Sequence, residues 1–203
     1  MKSVLISIQP KWCELIASGK KTVEVRKTKP KLEVPFKVYI YCTQEKRLLR
    51  KFDKGERIDD EHFFEEHVFV RQNTWIRGHF NPNGKVIGEF VCEEIFPIRV
   101  FENGSIQNYI CHSMERSCVP YDDISNYIGK GKTGYGWHIS NLVIYDKPKG
   151  LGEFYQKCKS YDKDDWENDD CLECENPCGN GGKLYLKRPP QSWCYVEGGV
   201  GEC

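Results

Sequence analysis

No stretch of this chain approaches the roughly 20 consecutive apolar residues that a helix needs to cross a bilayer. Its first residues also lack the basic region, apolar core and small-residue cleavage site of a secretory leader. The expectation is a cytoplasmic protein with no membrane partner. An excess of charge of one sign is missing too, since 30 basic residues balance 30 acidic ones. The field of the whole protein therefore does not attract a polyanion, and nucleic-acid binding requires a local patch. Internal repeats are absent, which excludes solenoids and propellers. A chain of 203 residues buries one substantial core, or one domain plus an appendage, rather than two full domains.

What is present is unevenly placed. Residues 20–31 are strongly basic and residues 162–175 strongly acidic, which separates a binding face from a solvated tail. Eleven cysteines are an odd number in a long chain, which argues against a secreted disulfide scaffold. Cys13, Cys42 and Cys92 fall in apparent core elements and read as small buried hydrophobes.

Along the chain, Val4 to Ile8 alternates as a strand, and Pro10 then sits where a first helical turn tolerates it. Trp12, Leu15 and Ile16 form an apolar helical stripe that Gly19 ends. Phe36, Val38, Ile40 and Cys42 alternate with Lys37, Tyr39, Tyr41 and Thr43 as a half-buried strand. Residues 44–84 are charged and irregular and read as an insertion, with a helix over 59–69 and a turn at Asn81-Pro82-Asn83-Gly84. Its His62, His67, Trp75 and His79 read as packing residues. A long strand over 86–98 breaks at Pro97, and a helix over 121–128 is closed by Gly129. One further strand is predicted from Gly134 to Tyr145, its glycines marking a close ligand approach or a barrel corner.

Residues 19–27, Gly-Lys-Lys-Thr-Val-Glu-Val-Arg-Lys, carry the most information. Strand alternation sends Val23 and Val25 to one face and Thr22, Glu24 and Arg26 to the other, with Lys21 at the mouth. An acid, a base and a hydroxyl on one rigid element make a polar cleft.

With Ile6 to Ser18 before it and Gly134-Tyr135-Gly136-Trp137-His138-Ile139-Ser140-Asn141-Leu142 far downstream, this stretch resembles the ASCH domain family, which has a PUA-like β-barrel. The likeness is nearest to prophage-type members of low-GC bacteria, whose chains end similarly to Pro189-Pro190-Gln191-Ser192-Trp193-Cys194-Tyr195-Val196-Glu197. It spans residues 1–43 and about 85–155. The implied fold is α+β, a PUA-like mixed β-barrel with short helices over residues 1–150, interrupted by the insertion at 44–84. A cysteine-containing extension over 151–203 packs back on the barrel through a strand at 192–197.

The implied function is binding of a nucleic acid or nucleotide, with single-stranded RNA or a modified base favoured. The ligand-binding set is Lys21, Thr22, Glu24, Arg26, Trp137 and His138. Arg26 and Lys21 would meet phosphate or carboxylate, Glu24 would accept from an amine or ribose hydroxyl, and Trp137 would stack on a base. Some small ASCH proteins are amidohydrolases acting on N4-acetylcytidine, using a lysine, a threonine two residues before the strand arginine and a later glutamate. Here those places fall on Lys21, on Glu24 instead of threonine, and on an acid such as Glu93 or Glu94. Losing the hydroxyl removes the nucleophile. An amidohydrolase or nuclease in the same cleft, and a phage-encoded protein that binds a host protein, are the alternatives.

The tail adds Cys171-x-x-Cys174-x-x-x-Cys178. A C-x-x-C knuckle supplies two tetrahedral zinc positions. Cys178 and Cys158 would complete one structural zinc site, with Cys194 the rival fourth ligand; a reduced, metal-free tail is the alternative.

Overall fold

This computed structural model describes residues 2–44, 48–52, 68–72, 83–107, 115–158 and 182–197. A seven-stranded sheet forms the larger layer. Its spatial order places β10 (Ser140–Lys149) beside β6 (Lys85–Cys92), then β3 (Phe36–Cys42), β1 (Lys2–Ile8), β13 (Trp193–Glu197), β11 (Tyr155–Lys157) and β12 (Lys183–Tyr185). A four-stranded sheet has the order β2 (Val23–Arg26), β9 (Thr133–His138), β7 (Ile95–Val100) and β8 (Ile106–Gln107). Two helices of eight residues, α1 (Pro10–Ala17) and α2 (Tyr121–Ile128), complete the described elements with short turns and one hairpin. No helix among the described residues is long and apolar enough to cross a membrane.

β1 is central and buried on both faces, as its apolar run predicts for an interior strand. Val4, Ile6 and Ile8 join Phe36, Val38, Ile40 and Cys42 in the layer between the two sheets. Leu5 points the other way, into a second core with Tyr39, Tyr41, Phe154 and Val196. The outward face expected for β3 is therefore closed: Tyr39 and Tyr41 are buried. The covering residues come from 145–196, over a hundred positions downstream, which is why alternation in β3 alone did not reveal them.

Three predicted boundaries move. The long strand over 86–98 breaks at Glu93–Glu94, not at Pro97. Pro97 lies inside β7, exposed and opposite Tyr135, beyond the stretch where β8 pairs, so its missing N–H breaks no ladder. The strand from 134 to 145 is two strands, and the chain passes from one sheet to the other at Ile139, with Asn141 left-handed at φ 47°. In the insertion, β4 (Leu48–Phe52) pairs with β5 (Val68–Gln72) as an antiparallel hairpin, so positions 68 and 69 are strand where a helix was expected. The rest of that helix, and His62, His67, Trp75 and His79, lie outside the described residues.

Other signals coincide with the elements. Gly19 adopts φ 71° just past α1, and α2 spans Tyr121–Ile128 with Gly129 at φ 99° after it. At Gly136 a Cβ would lie 2.3 Å from the Phe96 ring, so the close approach that this glycine permits is made by the protein itself.

Candidate functional site

β2 is the edge strand of the smaller sheet. Its alternation holds: Val23 and Val25 pack on Phe96, Ile98, Ile124 and Ile128, while Glu24 and Arg26 point into the space between the sheets. Lys21 is not at a mouth but 1 % exposed, and Glu24 and Arg26 are 6 % and 8 % exposed. Three buried charges must compensate one another.

They do so in a fixed arrangement. Lys21 Nζ donates to the carbonyls of Val23 at 2.8 Å and Ser117 at 2.6 Å, and lies 3.3 Å from Glu24 Oε2. The turn Glu115–Ser117 thus covers the lysine and fastens the start of β2, where the Thr22 N–H also donates to Arg116 O. Arg26 Nη2 donates to Ser7 O at 2.7 Å and to Glu24 Oε1 at 3.0 Å. Within this group two atoms have no hydrogen-bond partner among the described residues: Glu24 Oε2, which the ammonium approaches without donating, and Arg26 Nε. Buried polar atoms are normally satisfied, so each unsatisfied one requires a reason.

Both residues line a cavity of about 420 Å³ between the end of β1, the start of α1, the edge of β2 and α2. Trp12 and Lys11 come from α1, Ser7 and Gln9 from its approach, and Asp123 and Tyr127 from α2. The backbone contributes as well. Ile139 N–H donates to Thr22 O, so in the antiparallel register Glu24 pairs by hydrogen bonds with Trp137 and Arg26 with Tyr135. Val25, one step out of phase, turns its N–H and C=O toward the open edge and the cavity that it lines.

Of the six ligand-binding residues proposed from sequence, Lys21, Glu24 and Arg26 meet at this cavity; Thr22, Trp137 and His138 are not in its wall. Trp137 is fully buried, with its ring centroid 6.0 Å from those of Phe36 and Trp193 and its indole N–H unpartnered. A base cannot stack on a ring enclosed in this way. The aromatic residues that line the cavity are the half-buried Trp12 and the exposed Tyr127. His138 is half-buried and opposite Val23, on the apolar side of β2. Glu93 and Glu94 are exposed and away from the cavity, so neither serves as the later acid of a hydrolase there.

Sequence reasoning missed Trp12, Asp123 and Tyr127. Trp12 read as one member of an apolar stripe, and Asp123 and Tyr127 reach β2 from about a hundred residues away, with no local signal. Behind the site, burial and then a hydrogen bond with Cys42 hold the Cys13 thiol well above its ordinary range. Of the proposed zinc ligands, Cys158 is buried and Cys171, Cys174 and Cys178 lie outside the described residues. Among the described residues no three His, Cys, Asp or Glu side chains come together as a metal set.

The pattern of the ASCH domain matches residues 6–177 of the chain. No curated protein matches it. Among solved structures, it is similar to a serine-to-alanine mutant of the Zymomonas mobilis ASCH protein, at 15 % identity and TM-score 0.52, covering 96 % of this chain and 88 % of that one. Two further crystal structures of that protein, one a tyrosine-to-phenylalanine mutant, match at 17 % identity with TM-scores of 0.47 and 0.46. They cover 74 % and 73 % of this chain, and 77 % and 73 % of theirs. The two layered sheets and short helices are therefore a PUA-like α+β fold.

Proposed function

The chain belongs to the ASCH domain family, and from that premise we propose that its cavity binds an amine-bearing base, modified or not, of a nucleotide or RNA. ASCH domains are generally thought to bind RNA, and nucleic-acid binding is the coarse reading that this membership supports. The single observation that supports the finer one is that Glu24 and Arg26, which both line one cavity, keep among the described residues an acceptor, Oε2, and a donor, Nε, without a hydrogen-bond partner. A carboxylate accepts from the exocyclic amine of cytosine, and a guanidinium donates to a neighbouring ring acceptor. The edge N–H and C=O of Val25 add a second donor and acceptor, and Trp12 offers a stacking face.

Lys21 is a positioning residue in this account. Its ammonium donates to two carbonyls and lies 3.3 Å from Glu24 Oε2, so it stays beside Glu24 and compensates its charge. The same occupancy weighs against a nucleophilic or phosphate-binding lysine. A hydrolase in this cavity is the competing reading, and it lacks a poised hydroxyl: that of Ser7 donates to Pro190 O at 2.6 Å.

The test is calorimetric titration of cytidine monophosphate into wild type, Glu24→Gln and Trp12→Ala. Binding weakened about tenfold or more by each change fits the loss of one charge-assisted hydrogen bond or one stacked base. Wild-type affinity in both variants would place the ligand elsewhere. Release of cytidine from N4-acetylcytidine, lost on Lys21→Ala, would promote the hydrolase instead.

A further inference from the structure

The residues directly after Arg26 leave the cavity wall as a basic loop over 27–31, and that loop is tied to a row of aromatic side chains. Lys27 Nζ lies 5.0 Å from the ring centre of Tyr127, at the cavity, and Lys29 Nζ 5.5 Å from that of Tyr135. Between and beyond them, the indole N–H of Trp193 donates to Thr28 Oγ1 at 3.0 Å. The Lys31 N–H donates to the Tyr195 hydroxyl at 2.7 Å. Lys27, Lys29 and Lys31 are exposed, and among the described residues none of them is ion-paired. Tyr135, Trp193 and Tyr195 are half-buried, so each ring keeps part of its surface toward solvent.

The row has a direction. Trp193 lies opposite Ile6 and Tyr195 opposite Val4 across the β1–β13 pair, so the aromatics step away from Ser7, which lines the cavity, toward Lys2. Lys2 ends the row with its ammonium 4.4 Å from the Tyr195 ring centre. From Ser7 back to Lys2 is about 17 Å of strand. A chain with zero formal net charge has thus gathered cations and π faces along one line that starts at its cavity.

Resting on the reading of that cavity as a base pocket, we propose that this line is the track for a single-stranded polynucleotide. Its backbone would follow Lys27, Lys29 and Lys31 while flanking bases meet Trp193 and Tyr195. The alternation fits a single strand because lysines track phosphates while aromatic faces accept any unpaired base. A duplex keeps its bases stacked on one another and leaves these rings unused.

The experiment compares a fluorescein-labelled mixed-sequence octamer, as RNA and as DNA, with cytidine monophosphate, for wild type and the K27Q/K29Q/K31Q variant. Circular dichroism confirms that the exposed substitutions leave the fold intact. The expected result is an octamer bound more tightly than the monophosphate, with the slope of log affinity on log salt reduced by about 2 in the variant, at about 0.7 per phosphate contact. The octamer then loses about 20-fold more affinity in wild type than in the variant between about 50 and about 200 mM salt. The monophosphate loses far less than the octamer from the triple substitution.

An octamer no tighter than the monophosphate, or a salt slope unchanged by the variant, overturns the track while monophosphate binding keeps the pocket. Lysine-dependent octamer binding without monophosphate binding supports the track and removes the pocket. If neither probe binds, both fall. Equal RNA and DNA affinities show a track read through charge and stacking, and RNA preference adds 2′-hydroxyl recognition; either supports the track.

Discussion

One face of β2 carries Val23 and Val25 into an apolar layer closed by Ile98, Ile124 and Ile128. The other carries Glu24 and Arg26 into a space that is nearly as dry but is organised by charge. The two faces share four residues of backbone and similar burial. On the apolar face the side chains meet their like, although Val25 and Ile124 also reach the cavity wall. On the charged face two carbonyls hold Lys21, Lys21 and Arg26 face Glu24, and among the described residues one carboxylate oxygen and one guanidinium N–H still have no hydrogen-bond partner. Burial thus does not distinguish the two faces of β2; the unsatisfied atoms of buried charged groups do.

The strongest way to break this comparison is to remove the carboxylate. Glu24→Ala leaves Lys21 and Arg26 buried without their counter-charge and is expected to cost about 3–5 kcal/mol, read by urea denaturation. A loss of under about 1 kcal/mol would mean that water already screens the group. On the opposite face, Val23→Ala removes two carbons from a packed layer and is expected to cost about 2 kcal/mol. It should leave cytidine monophosphate affinity unchanged, because Val23 does not line the cavity. A binding defect equal to that of Glu24→Gln would show that the two faces are not independent.

A smaller effect comes from a carboxylate whose partners are complete. Burial pushes the Glu89 carboxyl up, but hydrogen bonds from Tyr145 and Lys37 more than reverse this and leave it below its ordinary value. A depressed folded value contributes stability that is present above the unfolded carboxylate value near 4.3 and is lost as the pH falls through the lower folded one. Glu89→Gln should therefore lower the melting temperature at pH 7 and cease to matter well below pH 4, by about 1 kcal/mol or less for a partly exposed pair. A deficit that persists in acid would assign the effect to packing.

The cysteines give the finest test. Burial pushes the Cys92 thiol up to about 12 and the Cys194 thiol up to about 11, so native protein at pH 8 should be alkylated at the half-exposed Cys118 well before Cys13 or Cys92. Early labelling of Cys13, which lies behind Glu24 and Arg26, would show the charged face opening. Cys158 has another expected role. Its N–H donates to Gly182 O at 2.8 Å. If Cys171, Cys174 and Cys178 join it, elemental analysis of reduced protein finds about one zinc per chain. Zinc content unchanged in C171S/C174S would remove the site.

Local signals were legible where the physics is local. Gly19 and Gly129 ended the helices, and the alternation of residues 22–26 separated valines from charges before any fold was known. Long-range partners were not. The sequence put Glu24 on a polar face, but not its burial, nor Ser117 and Asp123, which arrive from another part of the chain. The two tryptophans exchanged roles for the same reason. Trp137 looked accessible beside its glycines, yet those glycines admit Ile128 and Phe96, while Trp12, assigned to a core stripe, lines the cavity.

The antiparallel pairing of β1 with β13 joins Lys2 to Glu197, and this has a bearing on synthesis. One edge of β1 is taken by β3 soon after it is made, but the other awaits residues 193–197. At about 5–20 residues per second that interval is about 10–40 s on a ribosome. Throughout it this buried, apolar strand presents a bare hydrogen-bonding edge, the kind that seeds association between nascent chains. For this protein the hazard of aggregation falls during translation, and it ends only when the last strand closes the sheet.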